Sequence, residues 1–349
     1  MASVRVGLSG WQYAHWHGPF YPDGTRHADE LAYAAARFPS LELNGTFYGL
    51  QRPSSFLRWR DEVPRGFTFA VKGSRYLTHL KRLRDPRTAL ANFVASGLLA
   101  LGDRLGPVLW QLPERASFDA EVLSPFLELL PRTTEAAGRL AQQHDDRLRA
   151  EAWTEPGPDR PLRHALEARH ASFADPAALG LLRDHDVALV VSDGAGRWPL
   201  LDHPTSGLAY LRLHGPTRLY ASRYDNARLD SWADWVRRRH DAGQDVVVYL
   251  DNDGDAHAPR DARRLLERLG DVAEPWPPVT AHPAAAPRLS RTGPSRAESC
   301  GWHRSPPTPH PARPRSPWAS TSPGSRRRPR TSTSTARPGA ACRRRPRCR

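Results

Sequence analysis

Residues 209–215 read AYLRLHG. A strand alternates its side chains between two faces, so Tyr210, Arg212 and His214 share one face and Ala209, Leu211 and Leu213 the other. One face is apolar and suited to packing under a helix. The other turns charged only towards the carboxyl end. The same phase recurs elsewhere. In LELN (41–44), Leu41 and Leu43 oppose Glu42 and Asn44. In FTFAVK (67–72), Phe67, Phe69 and Val71 oppose Thr68, Ala70 and Lys72. Pro107, Leu109 and Gln111 align in PVLWQ (107–111), and Ala165, Glu167 and Arg169 align in ALEAR (165–169). In VVVYLDN (246–252) one face carries Val246, Val248, Leu250 and Asn252.

VRVGLS (4–9) and VALVVSD (187–193) bring the strand candidates to eight. Helical periodicity fills the intervals. Leu31, Ala35 and Phe38 fall on one side of a first helix, and Phe56, Trp59 and Val63 on one side of a second. Asp175-Pro176 supplies an N-cap followed by proline in the first helical position. Gly243 and Gly270 stand where helices would stop. Eightfold strand–helix alternation predicts an α/β chain with a parallel sheet closed as a single (β/α)8 TIM-type barrel over residues 1–270. In such a barrel the floor is filled by side chains, and the site lies where the strands end. The inferred rim is Glu42, Asn44, Lys72, Gln111, Glu167, Arg169, Asp193, Arg212, His214 and Asn252, with His79 and His170 just beyond strand ends.

The net charge of +14 suggests a nucleic-acid binder until it is located. After Gly270 there are 16 arginines and three acids, which leaves residues 1–270 close to neutral. The 271–349 segment is rich in Arg, Pro and Ser and has no apolar periodicity, so it is expected to be a disordered tail. Two origins are open for it: an out-of-frame or misannotated stretch, or a nucleic-acid-binding arm. Cys300, Cys342 and Cys348 all lie there, leaving the body without a thiolate metal site. With no signal-peptide pattern and no membrane-length apolar run, a cytoplasmic protein is expected, with no membrane partner. The oligomeric state is open.

Lys72 and Lys81 are the two lysines among 51 basic residues, yet Lys72 falls at a strand's carboxyl end. Arginine cannot reproduce a compact ammonium or a Schiff-base amine. Lys72, Glu42 and Glu167 are therefore the catalytic candidates: an amine with an acid and a base. The competing reading makes Lys72 and Glu42 a structural ion pair and both glutamates charge compensation. Arg169 and Arg212 could clamp a phosphate or carboxylate, or serve as salt bridges. His79, His170 and His214 could act as acid–base groups or as hydrogen-bonding residues. No local metal signature is present, although a divalent metal remains open. Trp11, Tyr13, Trp16, Phe20 and Tyr21 crowd the first strand–helix loop, either as a stacking platform or as a packed cover.

GLSGWQYAHWHGPFYP, LELNGTFYGLQRPSSFLRWRDEVPRGFTFAVKGSRYLTH, LGPVLWQLP, EARH, YLRLHG and NDGDAHAPRDA, in that order, resemble the YecE-like family, a domain of unknown function. The resemblance runs from residue 4 to about 270 and implies a TIM-type barrel, with no established reaction. Its motif positions add Thr46, Tyr48, Thr78, Gly215, Tyr220 and Tyr224 to the rim residues above. Tyr220 and Tyr224 thereby join Asn44, His79, Gln111, Arg169, His170, Asp193, Arg212, His214 and Asn252 as expected substrate-binding residues. Gly45 departs from the family, and 134–161 is longer and more charged than usual, as in a surface elaboration.

Three functions fit these residues. The leading one is an enzyme that binds and transforms a polar or anionic small molecule, phosphorylated or carboxylated, by acid–base chemistry. The second is a metal-dependent phosphodiesterase or endonuclease IV-like enzyme, with Glu42, Glu167, Asp193, His170 and His214 as ligands. The third is a non-catalytic sensor or scaffold.

Overall fold

The structure, a computed structural model, describes residues 2–273 and Trp276. Its strands are β1 (Val4–Ser9), β2 (Ser40–Leu43), β3 (Thr68–Lys72), β4 (Leu105–Gln111), β5 (His164–Glu167), β6 (Val187–Leu189), β7 (Val191–Asp193), β8 (Leu208–Leu213) and β9 (Asp245–Leu250). Every pairing is parallel, in the order β6-β5-β4-β3-β2-β1-β9-β8-β7. The two ends of that order are consecutive in the chain. β6 pairs with β5 and β7 with β8, and Val190 between them donates its N–H to Leu166 O at 2.9 Å. The eight expected strands thus appear as nine segments, because the sixth changes neighbour at Val190 and closes the ring there.

Strand phase sorts the core into two parts. Ala70, Leu109, Ala165, Val190, Tyr210 and Tyr249 belong to one buried apolar cluster, the filled barrel interior. Leu41, Phe69, Trp110, Leu166, Leu211 and Val248 belong to the larger cluster between sheet and helices. Gly7 lets β1 and β2 approach closely, since a Cβ there would lie 2.0 Å from Ser40 O. Packing continues past Gly270: Val272 and Ala273 lie against the core, and Trp276 donates from its indole to Ala35 O at 2.9 Å. The rest of the expected tail lies outside the described residues. The 134–161 connection is more than a surface elaboration, because Leu140 and Leu148 enter the core. Among the described residues no helix is long and apolar enough to cross a membrane.

His164, a residue the sequence reading passed over, is buried on the helix side of β5. Its Nδ1 accepts from the Trp110 indole at 3.2 Å and its Nε2 donates to Pro131 O at 2.8 Å, which fixes a neutral ring. Burial pushes its pKa down to about 4. An unfolded histidine titrates near ~6.5, so on acidification the unfolded chain takes up this proton first. Stability from the group is intact above about 6.5 and falls by ~3 kcal/mol as the pH drops towards 4. Denaturant unfolding at stepped pH should show that slope, and His164→Gln should flatten it.

Candidate functional site

Arg212, on the inner face of β8, is fully buried at the centre of the barrel. Its Nη2 donates to Glu42 Oε1 at 2.6 Å, Asp251 Oδ2 at 2.9 Å and Ser9 Oγ at 3.0 Å. Its Nε reaches Glu42 Oε2 at 3.1 Å and its Nη1 reaches Glu167 Oε2 at 2.8 Å. Both glutamates accept further hydrogen bonds. Glu42 accepts from Ser9 Oγ at 2.5 Å and Tyr210 Oη at 2.7 Å. Glu167 Oε1 accepts from Arg169 at 2.8 and 3.0 Å and from Ser192 Oγ at 2.9 Å. Burial alone would raise the Glu167 pKa, but Arg169 and Arg212 override it and hold this carboxyl well below the usual range. His214 closes the network, with Nδ1 2.8 Å from Asp251 Oδ2 and Nε2 3.3 Å from Glu167 Oε1.

Lys72 stands outside this network. Among the described residues its Nζ makes no hydrogen bond or ion pair; it lies 4.5 Å from the centre of the Phe47 ring. The alternative that Lys72 pairs with Glu42 is therefore not realised, because Arg212 occupies that carboxylate. Burial, reinforced by the positive charge of Arg212, pushes the Lys72 amine down to about 8. At the end of β9, Asp253 shifts in the opposite sense for a carboxyl. Burial and the charge of Asp251 push it up to about 9, and its Oδ1 is buried without a partner among the described residues.

The cleft above is cationic. His79, Arg82, Gln111, Arg115, Arg169 and Arg197 line a cavity of about 570 Å³. Its carboxylate, Glu114, is already paired with Arg197 at 2.9 Å. The Arg169 guanidinium stacks 3.9 Å over the Trp198 indole, which fixes its plane. His79 packs edge-on against Phe47, ring centres 5.2 Å apart, so Phe47 touches both a residue of the cleft lining and Lys72.

Of the expected residues, Glu42, Glu167, Arg169, Arg212 and His214 meet in one network, and Ser9 Oγ ties in Asn44 at 2.9 Å. Tyr220 lies across His214, ring centres 5.4 Å apart. His170 caps the short helix Ala171–Ala174, its Nδ1 accepting from Ser172 N. Three placements need correcting. Asp193, Tyr224 and Asn252 lie behind the barrel wall. Tyr224 Oη donates to Asp193 Oδ2 at 2.9 Å, and Asn252 Nδ2 donates to Asp261 Oδ2 at 3.0 Å, on the helix His257–Arg268. Asn252 shares its phase with Val246, Val248 and Leu250, which face the helices; Asp193 follows the inward Ser192 by one residue. They anchor loops. The interior residues in their place are Ser192 and Asp251, and with Ser9 these were legible from the same alternation. Asp253 carried no such signal.

The ligand set suggested for a metal does not assemble. Glu42 and Glu167 are committed to Arg212, Asp193 faces away, and no group of three metal-ligating side chains converges among the described residues.

Comparison with known proteins fits this architecture. The family described as "Protein of unknown function DUF72" matches residues 5–286. The chain belongs to the DUF72 family. UPF0759 protein YunF of Bacillus subtilis (strain 168) is 22% identical over 285 residues, covering 76% of this chain and 94% of YunF. UPF0759 protein YecE of Escherichia coli (strain K12) is 29% identical over 131 residues, covering 37% of this chain and 44% of YecE. In structure the DUF72 chain is similar to the DUF72 family protein TM1631 from Thermotoga maritima MSB8, with a TM-score of 0.61 at 24% identity. That match covers 77% of this chain and 99% of the other. A DUF72 family protein from Enterococcus faecalis V583 gives 0.59 at 15% identity, over 80% and 100%. These likenesses establish the barrel and leave the chemistry to the residues.

Arg212→Met should be severe. It leaves Glu42, Glu167 and Asp251 buried without their shared cation, at a cost of about 3–5 kcal/mol in denaturant unfolding. Arg212→Lys should recover little of that, because one ammonium cannot span three carboxylates arranged around a planar fork.

Proposed function

We propose that this barrel is an enzyme that binds an anionic small molecule, phosphorylated or carboxylated, in the cationic cleft at its mouth and performs acid–base chemistry there. The observation that carries the reading is the lining of the cleft: four arginines and a histidine around about 570 Å³, with the one lining carboxylate already neutralised by Arg197. That volume suits a small metabolite. Planar guanidinium groups match the oxygens of phosphate or carboxylate.

The acid–base part rests on opposed environments at the carboxyl ends of the strands. Glu167, offered by sequence as acid or base, is held ionised by two arginines and has its lone pairs filled. Lys72 and Asp253 are the groups whose surroundings favour the uncharged form. An amine with a pKa near 8 can release and regain a proton close to neutrality, and a protonated carboxyl can donate one.

Calorimetric titration of the full chain with inorganic phosphate tests the anion site. Binding should be measurable, and Arg82→Ala combined with Arg115→Ala should weaken it roughly tenfold or more, since these exposed side chains line the cleft without joining the buried network. A flat titration with the unaltered chain would remove this reading. Turnover of anionic metabolites that raise the melting temperature separates an enzyme from a sensor; binding without conversion favours the sensor.

A further inference from the structure

We propose that Lys72 forms an imine with the carbonyl carbon of a phosphorylated aldehyde or ketone whose phosphate sits in the arginine-lined cleft. This rests on the anion-site reading and names its substrate class.

Three observations meet at Lys72. The first is composition. Arginine fills nearly every basic position of this chain, while Lys72 is one of two lysines. A guanidinium serves an ion pair at least as well as an ammonium, but it cannot supply a nucleophilic amine. The second is pairing. The carboxylates that would ordinarily hold an interior lysine as a salt bridge, Glu42, Glu167 and Asp251, all pair with Arg212, and Glu167 with Arg169 as well. Nζ faces the Phe47 ring instead, and so keeps its lone pair available once a proton leaves. The third is position. Phe47 packs against both Lys72 and His79, and His79 lines the cleft. The two contacts keep Nζ within roughly 10 Å of the His79 ring centre, and His79 feels the Lys72 charge, so a ligand anchored in the cleft by its phosphate needs a short carbon chain that passes the Phe47 ring to bring a carbonyl to Nζ. The depressed pKa of the amine adds support, since burial and Arg212 both favour the neutral form.

The step balances without a further reactant. The Nζ lone pair forms a bond to the carbonyl carbon as the carbonyl π pair moves to oxygen. One N–H proton passes to that oxygen to give a carbinolamine. The C–O bond then breaks, the oxygen leaves as water with the second N–H proton, and a C=N bond remains. The imine draws electron density from the neighbouring carbon, which is the catalytic use of such an adduct.

The test uses the full unaltered chain with glyceraldehyde 3-phosphate, sodium borohydride to reduce any imine, and peptide mapping. Lys81 is the internal control for indiscriminate reaction. The expected result is a reduced adduct on Lys72 in roughly tenfold or greater excess over Lys81. Excess inorganic phosphate should suppress it, and it should be far weaker with unphosphorylated glyceraldehyde. Its rate should rise with pH about a midpoint near 8. Lys72→Arg, which keeps the charge, should abolish trapping while still binding phosphate in the titration above. Equal labelling of Lys72 and Lys81, or no Lys72 adduct from a chain that binds phosphate, would overturn the imine and leave the anion site standing. A chain that fails to bind phosphate would overturn the anion site itself. Equal trapping of the two aldehydes would overturn the assignment to phosphorylated carbonyls.

Discussion

The guanidinium of Arg212 is shut off from water and faces three carboxylates carried by three different strand ends, Glu42, Glu167 and Asp251. Removing any of these charges from water costs several kcal/mol, and their mutual attraction offsets that only when the geometry is good and the remaining lone pairs are filled. For the two glutamates both conditions hold: Ser9 and Tyr210 complete Glu42, and Arg169 and Ser192 complete Glu167, while Asp251 lies against His214. A hydrophobic plug of the same volume would close the barrel at no greater cost. The polar interior therefore does more than stabilise. It ties strand ends from opposite sides of the ring to one rigid, planar group.

That arrangement governs the charges left over. Glu42, Glu167 and Asp251 balance Arg169, Arg212 and Lys72 when Lys72 is protonated. Lys72 makes none of the direct contacts, so the balance is electrostatic and its proton is the most easily surrendered of the set. Asp253, one residue beyond the outward Asn252, meets the mirror situation. Asp251 has already claimed the available cation, and a second buried negative charge beside it is disfavoured.

Strand alternation made most of this legible before any coordinates. It placed Glu42, Glu167, Arg169, Arg212 and His214 on one inner surface, and the structure gathers them there. The same rule, followed strictly, excludes Asn252 and Asp193 and admits Asp251 and Ser192; choosing polar residues near strand ends without regard to phase is what misplaced them. Other features were beyond pattern reading. The break at Val190 depends on which neighbour each half of VALVVSD pairs with. That Arg212 would take both glutamates, and that Lys72 would be left unpaired, depends on distances across the ring. Asp253 lies in a turn where no periodicity applies, and its altered acidity comes from three-dimensional burial.

The network also changes which groups the proposed chemistry can use. A carboxylate serves as base or acid only if it can exchange its proton partner during a turnover. Glu167 would have to abandon bonds to two arginines and a serine, losing several charge-assisted contacts in a site closed to water. Its place is to keep Arg169 and Arg212 charged and oriented, with Arg169 presented to the cleft across the face of Trp198. Proton traffic then falls to groups whose partners are missing rather than filled, at the two rim positions where the charge pattern runs out of counterions. On the proposed reading the interior ion network shapes the mouth without taking part in its chemistry: by absorbing Glu42, Glu167 and Asp251, it leaves the Lys72 amine without a carboxylate partner.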